Sequence, residues 1–188
     1  ISSFSAYSLL KSKRKLIHLL YGIMSASLVL WMAALCAMKF VTPADTALLF
    51  ALDATTNPTA SLASMSLLWI SVTFANGYTV MPARYRLLII PAIISALIVF
   101  TNPLHHLHYR VYSIVASEVQ FGPHVYITGV YNYTMLVAAA VVTLRYGFRS
   151  ANKLYLQQAL VFSVGILVPG LVNMIATLKL MNLSIVAT

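Results

Sequence analysis

The segment TNPLHHLHYR, Thr101–Arg110, groups side chains that are able to bind metal ions or protons. His105, His106 and His108 lie close together, and His124 follows them across a loop. Imidazole nitrogens are ligands for zinc and copper, and a histidine also changes its charge near neutral pH. These residue types therefore raise two hypotheses, a metal site and a pH-responsive cluster.

The spacing of these histidines does not decide between the hypotheses. Glu118 is an acid that could complete a metal set, but no cysteine and no second acid lie nearby, which disfavours a metal site. A third hypothesis requires no site chemistry: the histidines, together with Tyr109 and Tyr112, anchor the chain at a membrane surface. This anchoring role accounts for the residues most simply.

The sequence contains no recognisable set of catalytic residues. The membrane spans predicted below contain no acidic residue that could pair with a histidine or activate a nucleophile, and no glycine-rich phosphate loop is present. Cys36 is the only cysteine, so no disulfide can form within the chain. We therefore predict that these residues form no enzyme active site and bind no cofactor.

The composition predicts the structure that must position these side chains. Hydrophobic residues make up 61% of the chain and charged residues only 8%, whereas a soluble domain has about 25% charged residues. Uncharged gaps long enough to cross a membrane, which takes about 20 residues, predict five spans. Their approximate bounds are 16–38, 57–80, 84–103, 123–146 and 154–178. The expected fold is an all-α polytopic transmembrane helical bundle, a single membrane domain over 1–188 with no soluble domain.

The charges between the spans predict the orientation of the chain. Nine of the 12 basic residues fall on one side of the membrane: Lys11, Lys13, Arg14, Lys15, Arg84, Arg86, Arg145, Arg149 and Lys153. The other side has Lys39, Arg110 and Lys179 together with the three acids, Asp45, Asp53 and Glu118. Cytoplasmic loops are enriched in basic residues, so the first side is predicted to be cytoplasmic. The net charge of +9 then reflects membrane topology, and nucleic acid is not an expected partner.

TNPLHHLHYR consequently lies at the outer face, where the third span ends. The loop over about 104–122 contains YRVYSIVASEV, whose apolar residues have helical spacing. This spacing predicts either a short helix lying in the membrane interface or an irregular loop.

Polar side chains inside the spans need partners, because water is absent there. Tyr131 and Tyr133 in the fourth span and Asn173 in the fifth can either line a ligand cavity or bond between helices, and we favour interhelical bonds. Pro91 and Pro169 should kink their helices, because proline removes a backbone donor.

Three segments resemble the N-terminal seven-helix sensor region of bacterial histidine kinases, in the order and spacing of that family across about 84–178. FTNPLHHLHY resembles its Asn-x-x-His followed by Leu-x-aromatic, and FGPHVYITGVYNYTMLV resembles its Gly-Pro helix start with a Tyr-x-Tyr. LYLQQALVFSVGILVPGLVN matches its next helix at Tyr155, Gln158, Gly165, Pro169 and Asn173.

The resemblance implies that the five spans are helices two to six of seven. ISSFSAYSLL is then the end of the first helix, and the seventh is absent after Thr188. The chain also lacks the phosphoacceptor hairpin and the ATP-binding domain of a kinase. The resemblance singles out Asn102 and His105. With the polar span residues Tyr131, Tyr133 and Asn173 they are the candidates for a ligand or signal role, and Gln158 and Pro169 are the candidates for coupling.

These observations predict a signal-input domain in the cytoplasmic membrane of a prokaryote. A small ligand or peptide at the outer face would shift the helices and regulate a cytoplasmic kinase or cyclase output. The expected partners are the lipid bilayer and a second copy of the chain or other membrane subunits. The alternative is a non-catalytic subunit of a larger membrane complex, or a small transporter.

Overall fold

The computed structural model describes residues 15–42, 44–113, 118–150 and 152–177. The helices are α1 (Lys15–Met38), α2 (Thr46–Asn76), α3 (Ala83–Arg86), α4 (Ile89–Phe100), α5 (Asn102–His105), α6 (Pro123–Arg149) and α7 (Lys153–Thr177), and the strands are β1 (Tyr109–Ser113) and β2 (Glu118–Phe121). Five helical segments in this part of the chain are long and apolar enough to cross a membrane, with α3 and α4 counted as one. The fold is an all-α polytopic helical bundle, as predicted. Residues 1–10, expected to end a preceding helix, lie outside the described residues.

Helix α2 is the centre of the bundle. It packs against α1, α4 and α6, and α7 packs on the far side of α6. In its most apolar stretch 56% of the residues are buried, against 11% for α7. Small side chains on α2, such as Ser61 and Ser66, are fully buried and allow the neighbouring helices to approach closely. A movement of α1, α4 or α6 can therefore displace α2, because all three pack against it.

Helix α2 begins eleven residues before residue 57, where the gap between charges placed its start. The Asp45 side chain accepts a hydrogen bond from the Leu48 amide and caps the first turn. The helix consequently includes Asp53, and the expectation that no span contains an acid is wrong. A gap between charges measures the stretch that tolerates lipid, whereas the helix continues wherever its backbone bonds are satisfied.

The third span is interrupted at Leu87 and Leu88, one turn before Pro91. Proline has no amide hydrogen for the carbonyl four residues earlier, which is that of Leu87. Neighbouring carbonyls find side-chain donors instead: Trp69 Nε1 donates to Tyr85 O at 2.9 Å, and Tyr131 Oη donates to Leu88 O at 2.8 Å. The other predicted site, Pro169, lies within α7, which continues through it.

The loop before α6 forms a β-hairpin, and both the interfacial helix and the irregular loop are wrong for its described part. Strands β1 and β2 pair antiparallel, with Tyr109 opposite Phe121 and a bulge before Val111. Aromatic and β-branched residues favour such pairing. Two backbone hydrogen bonds also join the start of α6 to the residues before β1. Gly122 N donates to His108 O at 2.7 Å, and His124 N donates to Leu107 O at 3.1 Å. Its end of the bundle is called the hairpin end below.

Candidate functional site

Asn102 fixes the start of the hairpin. Its Oδ1 accepts from the His108 and Tyr109 amides at 2.8 and 3.0 Å, and its Nδ2 donates to Tyr109 O at 3.1 Å. The chain reaches this position because α5 ends at His105 and the next residue, His106, has a φ of 54° that turns the backbone back. Asn102 is buried, and three hydrogen bonds satisfy backbone groups that would otherwise lack partners.

His108 faces His124 at the first turn of α6. The two Nδ1 atoms are 2.8 Å apart, and both side chains are buried. Burial and the nearby His124 lower the pKa of His108 from 6.5 to about 4, because a buried cation loses its hydration. His108 is therefore neutral at pH 7, and the two rings share one hydrogen bond.

A chain of hydrogen bonds continues from His124 into the bundle. Its Nε2 lies 3.3 Å from Thr128 Oγ1, which lies 3.1 Å from Ser95 Oγ on α4. Ser95 Oγ in turn donates to Asn57 Oδ1 on α2 at 3.1 Å. His124 and Thr128 are four residues apart and so share one face of α6. This chain joins the hairpin to three membrane helices.

Tyr109 makes a second connection from the hairpin to α2. Its hydroxyl donates to Asp53 Oδ2, and its ring packs against Phe50 and Tyr112, with centroids 6.1 and 5.1 Å away. Burial raises the pKa of Tyr109, and the Asp53 carboxylate raises it further. Burial likewise raises the pKa of Tyr112. Both tyrosines therefore stay protonated at physiological pH, and Tyr109 remains a donor to the carboxylate.

Asp53 and Asn57 are one turn apart on α2, so both connections reach the same helix face. We use the term hairpin-end network for the connected polar residues Asn57, Ser95, Asn102, His108, His124 and Thr128 together with the pair Asp53 and Tyr109. Movement of the hairpin must break or rearrange these bonds.

The three clustered histidines are not brought together. His105 uses Nε2 with Thr101 Oγ1 at 3.0 Å and Nδ1 with the Leu107 amide at 3.1 Å, while His106 is exposed. His108 alone joins the network. Among the described residues, no group of three or more His, Cys, Asp or Glu side chains is placed to hold a metal ion. The geometry gives the metal hypothesis no support.

The polar candidates deeper in the bundle make bonds to neighbouring helices. Tyr131 donates to Leu88 O, as described above, and Tyr133 donates to Asn173 Oδ1 on α7 at 2.9 Å. Tyr133 also borders an apolar groove between α6 and α7. Gln158 and Pro169 are exposed on α7, and their coupling role stays a prediction.

Sequence reasoning missed the network partners on the helices. Asp53 lay outside the predicted spans and Asn57 at the very start of the second one, and no role was predicted for Asn57, Ser95 or Thr128. The available signal was the four-residue spacing within each polar pair on α2 and α6, because polar groups at membrane depth seldom occur without partners.

Comparison with known proteins identifies the family. Neither the comparison with curated proteins nor that with solved structures gave a match. The model of one protein family, described as the N-terminal seven-transmembrane region of histidine kinase, matches residues 1–187 of this chain. That match covers nearly the whole chain and agrees with five apolar helices of a multi-pass membrane protein. The chain belongs to the family of N-terminal seven-transmembrane sensor regions of histidine kinases.

Proposed function

We propose that this chain receives a stimulus at the outer face of a prokaryotic cytoplasmic membrane and transmits it to a cytoplasmic kinase or cyclase. One observation carries the proposal: a buried polar network ties the hairpin at one end of the bundle to α2, α4 and α6. Such a network is costly to leave half satisfied, so it favours discrete arrangements over gradual deformation.

The charge distribution supports placing the hairpin outside. Arg84 and Arg86 lie in α3, at the far end of the third span, and Arg149 and Lys153 lie where α6 meets α7. All four are therefore at the end away from the hairpin. Because cytoplasmic ends are enriched in basic residues, that end is assigned to the cytoplasm and the hairpin to the outside.

A route for transmission follows from the spacing on α6. Thr128 belongs to the network, and Tyr131, three residues further on, holds the interruption of the third span through Leu88 O. Residues three apart lie on neighbouring positions of a helix surface. A shift of α6 at the hairpin end would thus reach the interruption between α3 and α4, and beyond it the basic inner end. Gln158 and Pro169 are retained as further coupling candidates on α7.

We further propose a small ligand or a peptide as the stimulus and a homodimer as the working state. The candidates for contact are Asn102, His105, Tyr131, Tyr133 and Asn173. The network geometry favours an indirect role for Asn102, as the residue that shapes the hairpin, because all three of its bonds are to backbone atoms.

Two experiments test the proposal. Sequencing the gene beyond Thr188 should reveal a seventh span followed by a signalling domain, and a stop codon soon after would contradict the proposal in this form. In the full-length receptor in vesicles, Asn102→Ala should abolish regulated output, whereas His106→Asn, at an exposed position, should leave it intact.

The alternative function gives a different result in a third experiment. A subunit of a larger membrane complex, or a small transporter, needs no signalling output. Stable copurification of the chain from native membranes with unrelated integral subunits would favour that alternative. Copurification with a second copy alone would favour the receptor.

A further inference from the structure

We propose that His108 and His124 form a proton-operated latch, which holds the hairpin on α6 when both rings are neutral and releases it when His108 is protonated. The latch is a property of this chain alone. Its link to signalling, and the assignment of the proton to the outside, rest on the proposed function.

The hydrogen bonds of Ser95 and Thr128 determine which ring nitrogen of His124 carries the hydrogen. Ser95 donates its only hydroxyl hydrogen to Asn57 Oδ1, which can only accept. Thr128 Oγ1 lies 3.0 Å from the His124 carbonyl and 3.1 Å from Ser95 Oγ, so its single hydrogen goes to one of these two oxygens. In either case its oxygen is left to accept from His124 Nε2. With its hydrogen on Nε2, neutral His124 has a bare Nδ1, so His108 must donate to it from Nδ1. Neutral His108 therefore carries no hydrogen on Nε2.

These hydrogen positions determine where protons add. The first proton binds His108 Nε2 and creates a cation in a buried position, while the bond to His124 survives. A second proton can bind only His124 Nδ1, where it removes the acceptor and places two N–H groups against each other. Both steps favour a released hairpin, in which the rings are hydrated.

The neighbouring titratable groups do not stabilise the cation in the latched state. His105 on α5 accepts a hydrogen bond from the Leu107 amide and has no negative charge that could stabilise the cation. Tyr109, edge-on to the His108 ring, is a neutral phenol that is already bonded to Asp53 on α2. The next residue in β1, Arg110, is exposed and basic. Acid should therefore favour release.

The pKa shift of His108 determines how the stability of the latch depends on pH. Folding lowers the pKa of His108 from 6.5 to about 4, so the released hairpin binds the proton more tightly than the latched one. The latch is fully stable above pH 6.5 and weakens as the pH falls towards 4. The opening constant should rise about tenfold per pH unit between these limits.

The test uses the chain in lipid nanodiscs. Hydrogen exchange of the hairpin amides, corrected for the intrinsic rate at each pH, should show the predicted tenfold rise per unit in the wild type. In His108→Asn, an amide nitrogen takes the place of Nδ1 and donates to His124 without titrating. Only His124 can then be protonated, so the loss of protection should shift to a lower pH than in the wild type. His106→Asn is the matched control: asparagine tolerates the left-handed backbone there, and the wild-type profile should be retained.

A second measurement does not depend on variants. Nitrogen NMR at pH 7 should find the hydrogen of His108 on Nδ1 and that of His124 on Nε2. The reversed tautomers would overturn the latch, as would acid release of His108→Asn at the wild-type midpoint. If Asp53→Asn alone abolished the acid response, the proton would act at the carboxylate and the latch would be refuted.

The signalling link is tested separately in the full-length receptor. Acid release of the hairpin accompanied by a change in output, absent in His108→Asn, would support both the latch and its use in signalling. Acid release with constant output would leave the latch established and would contradict the proposed transmission of this stimulus.

Discussion

Replacement of Asn102 by alanine should release the hairpin from the bundle. The substitution removes three hydrogen bonds and leaves two amides and one carbonyl, those of His108 and Tyr109, in a buried position. An unsatisfied buried group costs about 1–3 kcal/mol, so three of them destabilise the docked hairpin by about 3 kcal/mol or more. Since each 1.4 kcal/mol is tenfold, the hairpin amides should lose roughly a hundredfold of their exchange protection.

His105→Ala is the control for this prediction. Its ring bonds to Thr101 and Leu107 lie at exposed positions, where water can replace them, so the loss should be below about 1 kcal/mol. The assay is hydrogen exchange of the hairpin in nanodiscs, with the amides of α6 as the internal reference. The reasoning would be refuted if Asn102→Ala kept its protection within about threefold of the wild type, or if His105→Ala lost as much as Asn102→Ala.

Three further substitutions test the packing around the network. Tyr109→Phe leaves the partly buried carboxylate of Asp53 on α2 without its donor and should cost about 1–3 kcal/mol in denaturant unfolding; Tyr112→Phe should cost little, because its hydroxyl has no partner among the described residues. Gly147→Ala would place a Cβ 2.7 Å from a side chain of α7 and should lower the melting temperature, whereas Gly165→Ala, with open space around it, should not; equal effects would contradict this packing. Tyr131→Phe removes the donor to the interrupted third span and should cost about 1 kcal/mol, seen as faster exchange at the interruption; unchanged exchange there would argue against the bond.

Much of the fold could be predicted from charges and proline positions. The absence of charged residues between Lys15 and Lys39 predicted α1, and the kink predicted at Pro91 lies one turn after the interruption of the third span. The start of α2 could not be predicted in this way, because Asp53 looked like the end of a loop. A carboxylate is tolerated within a helix of this bundle when a phenol on a distant loop donates to it, and the distance along the chain hides that partner.

The hairpin escaped prediction for a related reason. The apolar residues of YRVYSIVASEV fit a helical spacing as well as a strand pairing, and short segments rarely distinguish the two. What favours the hairpin is outside the segment: Asn102 holds the amides of His108 and Tyr109, and Gly122 N bonds back to His108 O. These are contacts between the two ends of the loop, which only the folded chain brings together.

The sequence by itself determined that this chain is a multi-pass helical membrane protein of the histidine kinase sensor family, because hydropathy and short motifs are local properties. It also singled out Asn102 as a candidate and showed that His105, His106 and His108 are close together along the chain. Only the tertiary structure decided that His108 pairs with His124 while His105 and His106 do not, and that the chain of bonds ends on α2. Side chains on different helices become partners only through packing, and the packing of α2, α4 and α6 is what gives the histidine pair its buried, directional surroundings.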